Sequence, residues 1–151
     1  MKLDKNLREF IELLNTHGVD FLVVGGHAVA FHGHPRYTGD IDLLVAVSEP
    51  TSEKLMVVLE QFGFGGIGLR KEDFLDVDAV IQLGYPPNRI DIVTGIDAVT
   101  FGEAWARRIA GELDGVPVQF IDKDLLIRNK RAVARPKDIA DVDAIEGRAK
   151  S

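Results

Sequence analysis

Cysteine is absent from this chain, which excludes disulfide staples, thiol nucleophiles and cysteine-ligated zinc together. A reducing compartment suits such a composition, and a cytoplasmic location is expected. Long apolar runs are missing as well. No stretch approaches the roughly eighteen residues that a membrane span requires, and the opening Met-Lys-Leu-Asp-Lys-Asn runs directly into a charged amphipathic segment, so neither secretion nor membrane insertion is expected. Internal repeats, low-complexity tracts and Pro/Gly/Ser-rich linkers are also lacking, and nothing marks a domain boundary. Positive charge is in deficit: 18 Lys and Arg stand against 24 Asp and Glu, a net charge of −6. That balance argues against broad nonspecific binding of nucleic acid, which needs many phosphate-neutralising cations.

What is present is ordinary in amount. Hydrophobic residues form 46% and charged residues 28% of 151, the composition of a globular chain able to bury its own core. One domain over residues 1–151 is expected. Leu7, Phe10, Ile11 and Leu14 recur at helical spacing within 4–17, and Gly18 stands where a left-handed cap is wanted. Phe21-Leu-Val-Val24 reads as a strand buried on both faces, followed by a Gly25-Gly26 turn and a helix from His27 to about His32. A second strand is expected over 40–47 and a helix from Thr51 to Phe62. Val80–Leu83 and Arg89–Val93 read as strands paired antiparallel across Gly84-Tyr-Pro-Pro-Asn88. Beyond them come a helix from Phe101 to Arg108, a hairpin of 109–113 with 116–121 about Asp114-Gly115, and helices over 122–133 and 137–146. The fold class is α/β, or α+β: a mixed sheet of about four to six strands flanked by helices.

The chemistry-bearing residues begin with Asp40-Ile-Asp42. On a strand, side chains alternate, so the two carboxylates share a face and repel each other unless a cation sits between them. Hard oxygen donors of this kind suit Mg²⁺ or Mn²⁺. Taken alone, Asp-x-Asp is more often a solvated strand end. Asp91, between Ile90 and Ile92, adds a third acid on a strand interior, with an exposed position on a half-wet strand as the alternative. Gly25-Gly26, between strand and helix, leaves a backbone that phosphate can approach, or else a tight turn without a ligand. Arg36 and Thr38 stand just ahead of the carboxylates as a possible phosphate donor and positioning hydroxyl. His27, His32 and His34 lack the His-Glu-x-x-His spacing of a zinc hydrolase and read as helix and turn histidines. Ser48 and Ser52 have no base-and-acid context for nucleophilic hydrolysis.

Together, strand, Gly25-Gly26, helix, Arg36-Tyr-Thr38-Gly-Asp40-Ile-Asp42 and later Arg89-Ile-Asp91-Ile resemble the DNA polymerase β-like nucleotidyltransferase superfamily, over about residues 21–93. Lys130-x-Ala132-x-x-Arg135-x-Lys137-Asp138-x-x-Asp141 is similar to the C-terminal signature of small bacterial nucleotidyltransferase-like proteins, some of them partners in toxin–antitoxin modules. The resemblance implies a nucleotidyltransferase fold with basic C-terminal helices from about 122. It also implies a metal site of Asp40, Asp42 and Asp91, loaded with Mg²⁺ or Mn²⁺, that transfers a nucleoside monophosphate from an NTP, ATP above all. The acceptor would be a hydroxyl on a protein, an RNA or a small molecule, and pyrophosphate would leave. Lys130 and Lys137 are the C-terminal cations implied to reach the triphosphate, while Asp138 and Asp141 fit better as caps or ion pairs of the last helix. Position 26 is glycine where many active members have serine. A non-catalytic binding protein, such as an antitoxin with a toxin partner, is the competing expectation.

Overall fold

The computed structural model describes residues 3–35, 39–85 and 87–147. Helix α1 (Lys5–Thr16) opens at Asp4, whose carboxylate accepts from the Asn6 backbone N–H, and buries Leu7, Phe10, Ile11 and Leu14 on one stripe. Gly18 follows in the left-handed region and turns the chain into β1 (Phe21–Val24), all four of whose residues are buried. Helix α2 (Gly25–Phe31) starts without a spacer: Gly25 and Gly26 form its first turn, not a separate turn ahead of it. Gly25, at φ +66°, makes the abrupt change of direction from strand to helix possible.

β2 (Asp40–Val45) is two residues shorter than its apolar pattern predicts, and α3 (Glu49–Phe62) two residues longer. Both differences have one cause. The Ser48 hydroxyl accepts from the Thr51 N–H as an N-cap, so the helix begins on Glu49 and Pro50. A short 3₁₀ turn over Lys71–Phe74, which the sequence pattern does not announce, drives Phe74 fully into the core. Then come β3 (Val80–Leu83), β4 (Arg89–Val93), α4 (Phe101–Ala106), β5 (Ile109–Leu113), β6 (Val116–Phe120), α5 (Lys123–Val133) and α6 (Pro136–Glu146).

The six strands form one mixed sheet in the order β3-β4-β2-β1-β6-β5. β2 runs antiparallel to β1 and parallel to β4, which is antiparallel to β3. β6 runs parallel to β1, and β5–β6 form the hairpin that Asp114-Gly115 announces. Helix α1 packs on α3, α2 on α5, and α5 on α6. No helix among the described residues is long and apolar enough to cross a membrane.

The α5–α6 pair is joined by a buried charge cluster. Lys130, only 4% exposed, places its ammonium 3.2 Å from Asp138 and 2.9 Å from Asp141, which are themselves buried. Asp138 also receives the Arg135 guanidinium at 2.6 Å and accepts from the Arg135 backbone N–H, which caps α6. Burial alone would raise the Asp138 carboxyl, but the bonds from Arg135 and Lys130 outweigh it and hold it at about 2. Among the cations of the C-terminal helices and their connection, Lys123, Arg128, Arg131, Arg135 and Lys137 are exposed, and Lys130 is buried.

Removing a single member of a buried ion cluster strands the others. Lys130→Met should therefore lower the unfolding free energy by about 3–5 kcal/mol. Arg131→Ala, which breaks only the exposed pair with Glu146, should cost less than about 1 kcal/mol. Urea unfolding at constant slope reads both, and equal losses would refute the assignment.

Candidate active site

Register places the site. In the parallel β2–β4 ladder Asp40 lies beside Arg89 and Asp42 beside Asp91, so four charged side chains occupy one face of two neighbouring strands. Ile41, Ile90 and Ile92 point the other way and are buried. Each of Asp40, Asp42 and Asp91 offers a carboxylate oxygen within 4.8 Å of the others. Asp91 is 5% exposed, which rules out a half-wet strand position. Among the described residues these three are the group of acids and histidines able to hold an ion.

The electrostatics follow from the crowding. Burial, with Asp40 and Asp91 alongside, pushes the Asp42 carboxyl up to about 7, and a hydrogen bond with Asp91 adds to the rise. Arg89 offsets part of this charge. Its Nε donates to Asp91 Oδ1 at 2.8 Å and one terminal nitrogen donates to Asp91 Oδ2 at 3.0 Å and to Asp40 Oδ2. Hard carboxylate oxygens, closely set and mutually repelling, match what a divalent ion of the Mg²⁺ or Mn²⁺ type binds. These residues fit such an ion.

Gly25 is matched to this cluster. A Cβ at position 25 would lie 2.1 Å from Asp42 Oδ2 and 3.0 Å from its Cγ, so the absence of a side chain is what lets the carboxylate stand there. The acids and Gly25-Gly26 line a cleft of about 380 Å³. Its wall also carries Arg89, Lys130, Arg135 and Lys137, which brings the C-terminal cations to the acids. Of these, Lys130 is tied to Asp138 and Asp141, whereas Lys137 is exposed. Arg36 and Thr38 lie outside the described residues.

His27 is buried in α2, its imidazole pushed below the ordinary value by burial against the opposing pull of Asp40. The His32 ring is hydrogen-bonded to the Ile121 carbonyl at 2.7 Å, and neither histidine belongs to the three-acid group. Two residues of the cleft were passed over in the sequence. Arg89 stands two positions before Asp91 and so shares its face, a signal that the strand period carries. Arg135 stood in the C-terminal signature without a role assigned to it, and the turn between α5 and α6 that aims it is not legible in composition.

No protein-family model matches this sequence, and no curated protein does either. Solved structures do. ANT(2")-Ia in complex with adenylyl-2"-tobramycin superposes with a TM-score of 0.58 over 92% of this chain and 84% of that one, at 16% identity. An antigenic nucleotidyltransferase-like protein from Paracoccidioides brasiliensis does so with a TM-score of 0.53 over 96% and 78%, at 17% identity. This chain has the nucleotidyltransferase fold. In that fold, the acids described above lie on two adjacent parallel strands beside a glycine-started helix.

Two outcomes are expected from this geometry. Gly25→Ala should destabilise the protein by at least about 1–2 kcal/mol through its left-handed backbone alone, and should weaken Mn²⁺ binding by turning Asp42 away. Thermal melts and calorimetry measure the two effects. Because folding raises the Asp42 pKa, its protonated form favours the folded state. That stability is complete below about pH 4 and is lost as pH rises towards about 7. The ion-free protein should lose melting temperature across this window relative to Asp42→Asn, and saturating Mg²⁺ should abolish the difference. Parallel pH profiles would refute the burial and repulsion described.

Proposed function

We propose that the protein is a metal-dependent nucleotidyltransferase that moves a nucleoside monophosphate from an NTP, with ATP as the expected donor, to an acceptor hydroxyl. The observation that carries this reading is the cleft itself: three converging carboxylates and a side-chain-free strand–helix junction, walled by cations from the C-terminal helices. Asp40, Asp42 and Asp91 would hold Mg²⁺ or Mn²⁺, which when bound neutralises the triphosphate and the charge that develops at the α-phosphorus. Gly25 and Gly26 leave room for the polyphosphate to lie against the backbone. Lys137 supplies mobile positive charge for its distal oxygens, and Arg135 and Lys130, both anchored by aspartates, supply fixed charge. Asp91 takes the proton of the acceptor hydroxyl, whose oxygen then bonds the α-phosphorus as the bond to the β-phosphate bridge breaks and pyrophosphate leaves.

The acceptor is the less constrained half of the reaction. The structurally similar ANT(2")-Ia holds an adenylylated tobramycin, which puts hydroxylated small molecules first among acceptors to try, ahead of protein and RNA ends. Gly26, which offers no hydroxyl to phosphate where serine would, favours a second reading: a nucleotide-binding protein without turnover, acting through a toxin or antitoxin partner.

Incubation with Mg²⁺, labelled triphosphates and cell extract distinguishes the two. Transfer of label to an acceptor is expected, and Asp42→Asn should fold yet reduce it at least about 100-fold. Triphosphate binding without labelled product would favour the second reading, and no binding of metal or triphosphate in calorimetry would overturn both.

A further inference from the structure

We propose that Arg89 is a resident cation of the acidic cleft, a guanidinium that stands in for one divalent ion, so that the ion-free chain takes up a single Mg²⁺ or Mn²⁺ until Arg89 lets go of Asp91. The inference rests on the metal-dependent reading of the cleft and deepens it by assigning its metal stoichiometry to one side chain.

The register makes the arrangement. Arg89 lies beside Asp40 across the β2–β4 ladder and shares a face with Asp91, its neighbour two positions on, so its side chain reaches both acids from one strand position. It uses that reach in full. Nε and a terminal nitrogen engage both oxygens of Asp91 at 2.8 and 3.0 Å, and the same terminal nitrogen donates to Asp40 Oδ2. A planar donor fork of this kind matches carboxylate geometry in a way that a lysine ammonium does not. The guanidinium thus bridges two of the three acids of the cluster, which is the office of a bridging metal ion.

Occupation of this kind has two consequences. A divalent ion that ligates Asp40 and Asp42 approaches a cleft where one positive charge is already installed, and binds more weakly than it would to three bare carboxylates. A second ion that needs Asp91 competes directly with Arg89 for the same oxygens. Arg89 lines the cleft and its side chain is 26% exposed, so it has space to swing outward when displaced. Without any metal, Arg89 offsets the repulsion between Asp40 and Asp91.

Mn²⁺ titration of the full chain, read by calorimetry and by the loss of the free-ion electron paramagnetic resonance signal, tests this. Wild type should bind one Mn²⁺ per chain. Arg89→Met should bind two, the first about tenfold more tightly, and should melt below wild type in EDTA but gain more from added Mn²⁺. Arg89→Lys, which keeps the charge and loses the fork, should fall between them, and it decides the matter if Arg89→Met does not fold without metal. Equal stoichiometry and affinity in wild type and both variants would overturn the role of Arg89 while leaving the metal-dependent reading standing. Absence of Mn²⁺ binding in all three would overturn both, and binding in the variants alone would overturn the single-ion stoichiometry assigned to the wild type.

Discussion

The structure depends on a repulsion that it does not relieve by separation. β2 and β4 pair in a register that sets Asp42 beside Asp91 and Asp40 beside Arg89, and the isoleucines between them, buried on the opposite face, hold that register in place. A slip of one residue would send Ile41 and Ile90 into the cleft and the acids into the core, so hydrophobic burial enforces the electrostatic crowding. The raised carboxyl of Asp42 and the fork of Arg89 are two local responses to the same excess of negative charge, and the bare Cα of Gly25 makes the room in which Asp42 stands.

The opposite wall of the cleft is built on a different principle. The cations there come from α5 and α6, and their placement depends on the buried Lys130–Asp138–Asp141 cluster that joins the two helices. A buried ion cluster adds little to net stability compared with apolar packing, but it tolerates few alternative arrangements. Here it joins the two helices whose cations, Arg135 and Lys137, line the cleft. The acids are fixed by a sheet and the cations by a helical hairpin, and the cleft is where the two constructions face each other.

Much of this was legible in residue order. Strand alternation sufficed to put Asp40 and Asp42 on one face, and the apolar runs with their flanking glycines and prolines located the helices and strands to within a few residues. What escaped was set by contacts distant in sequence. Periodicity has no vocabulary for a 3₁₀ turn that buries Phe74, and the start of α3 on Glu49 follows from a cap at Ser48 rather than from the apolar stripe. The meeting of Asp42 with Asp91 across 48 intervening residues was implied by the family resemblance and not by periodicity, and the strand register sets the two side by side. Arg89 was overlooked because an arginine near an acid is common, and only its neighbour across the ladder gives it a second carboxylate.

One feature of the sheet bears on how long the cleft persists. β4, which carries Arg89 and Asp91, is separated from the sheet margin by β3 alone, a strand of four residues with Val80 and the nearby Tyr85 turned to solvent. Margins of sheets open more often than their middles. Fraying of this hairpin would loosen one half of the charged square while β1 and β2 stayed intact, so the cleft could come apart at its outermost ribbon without global unfolding of the chain.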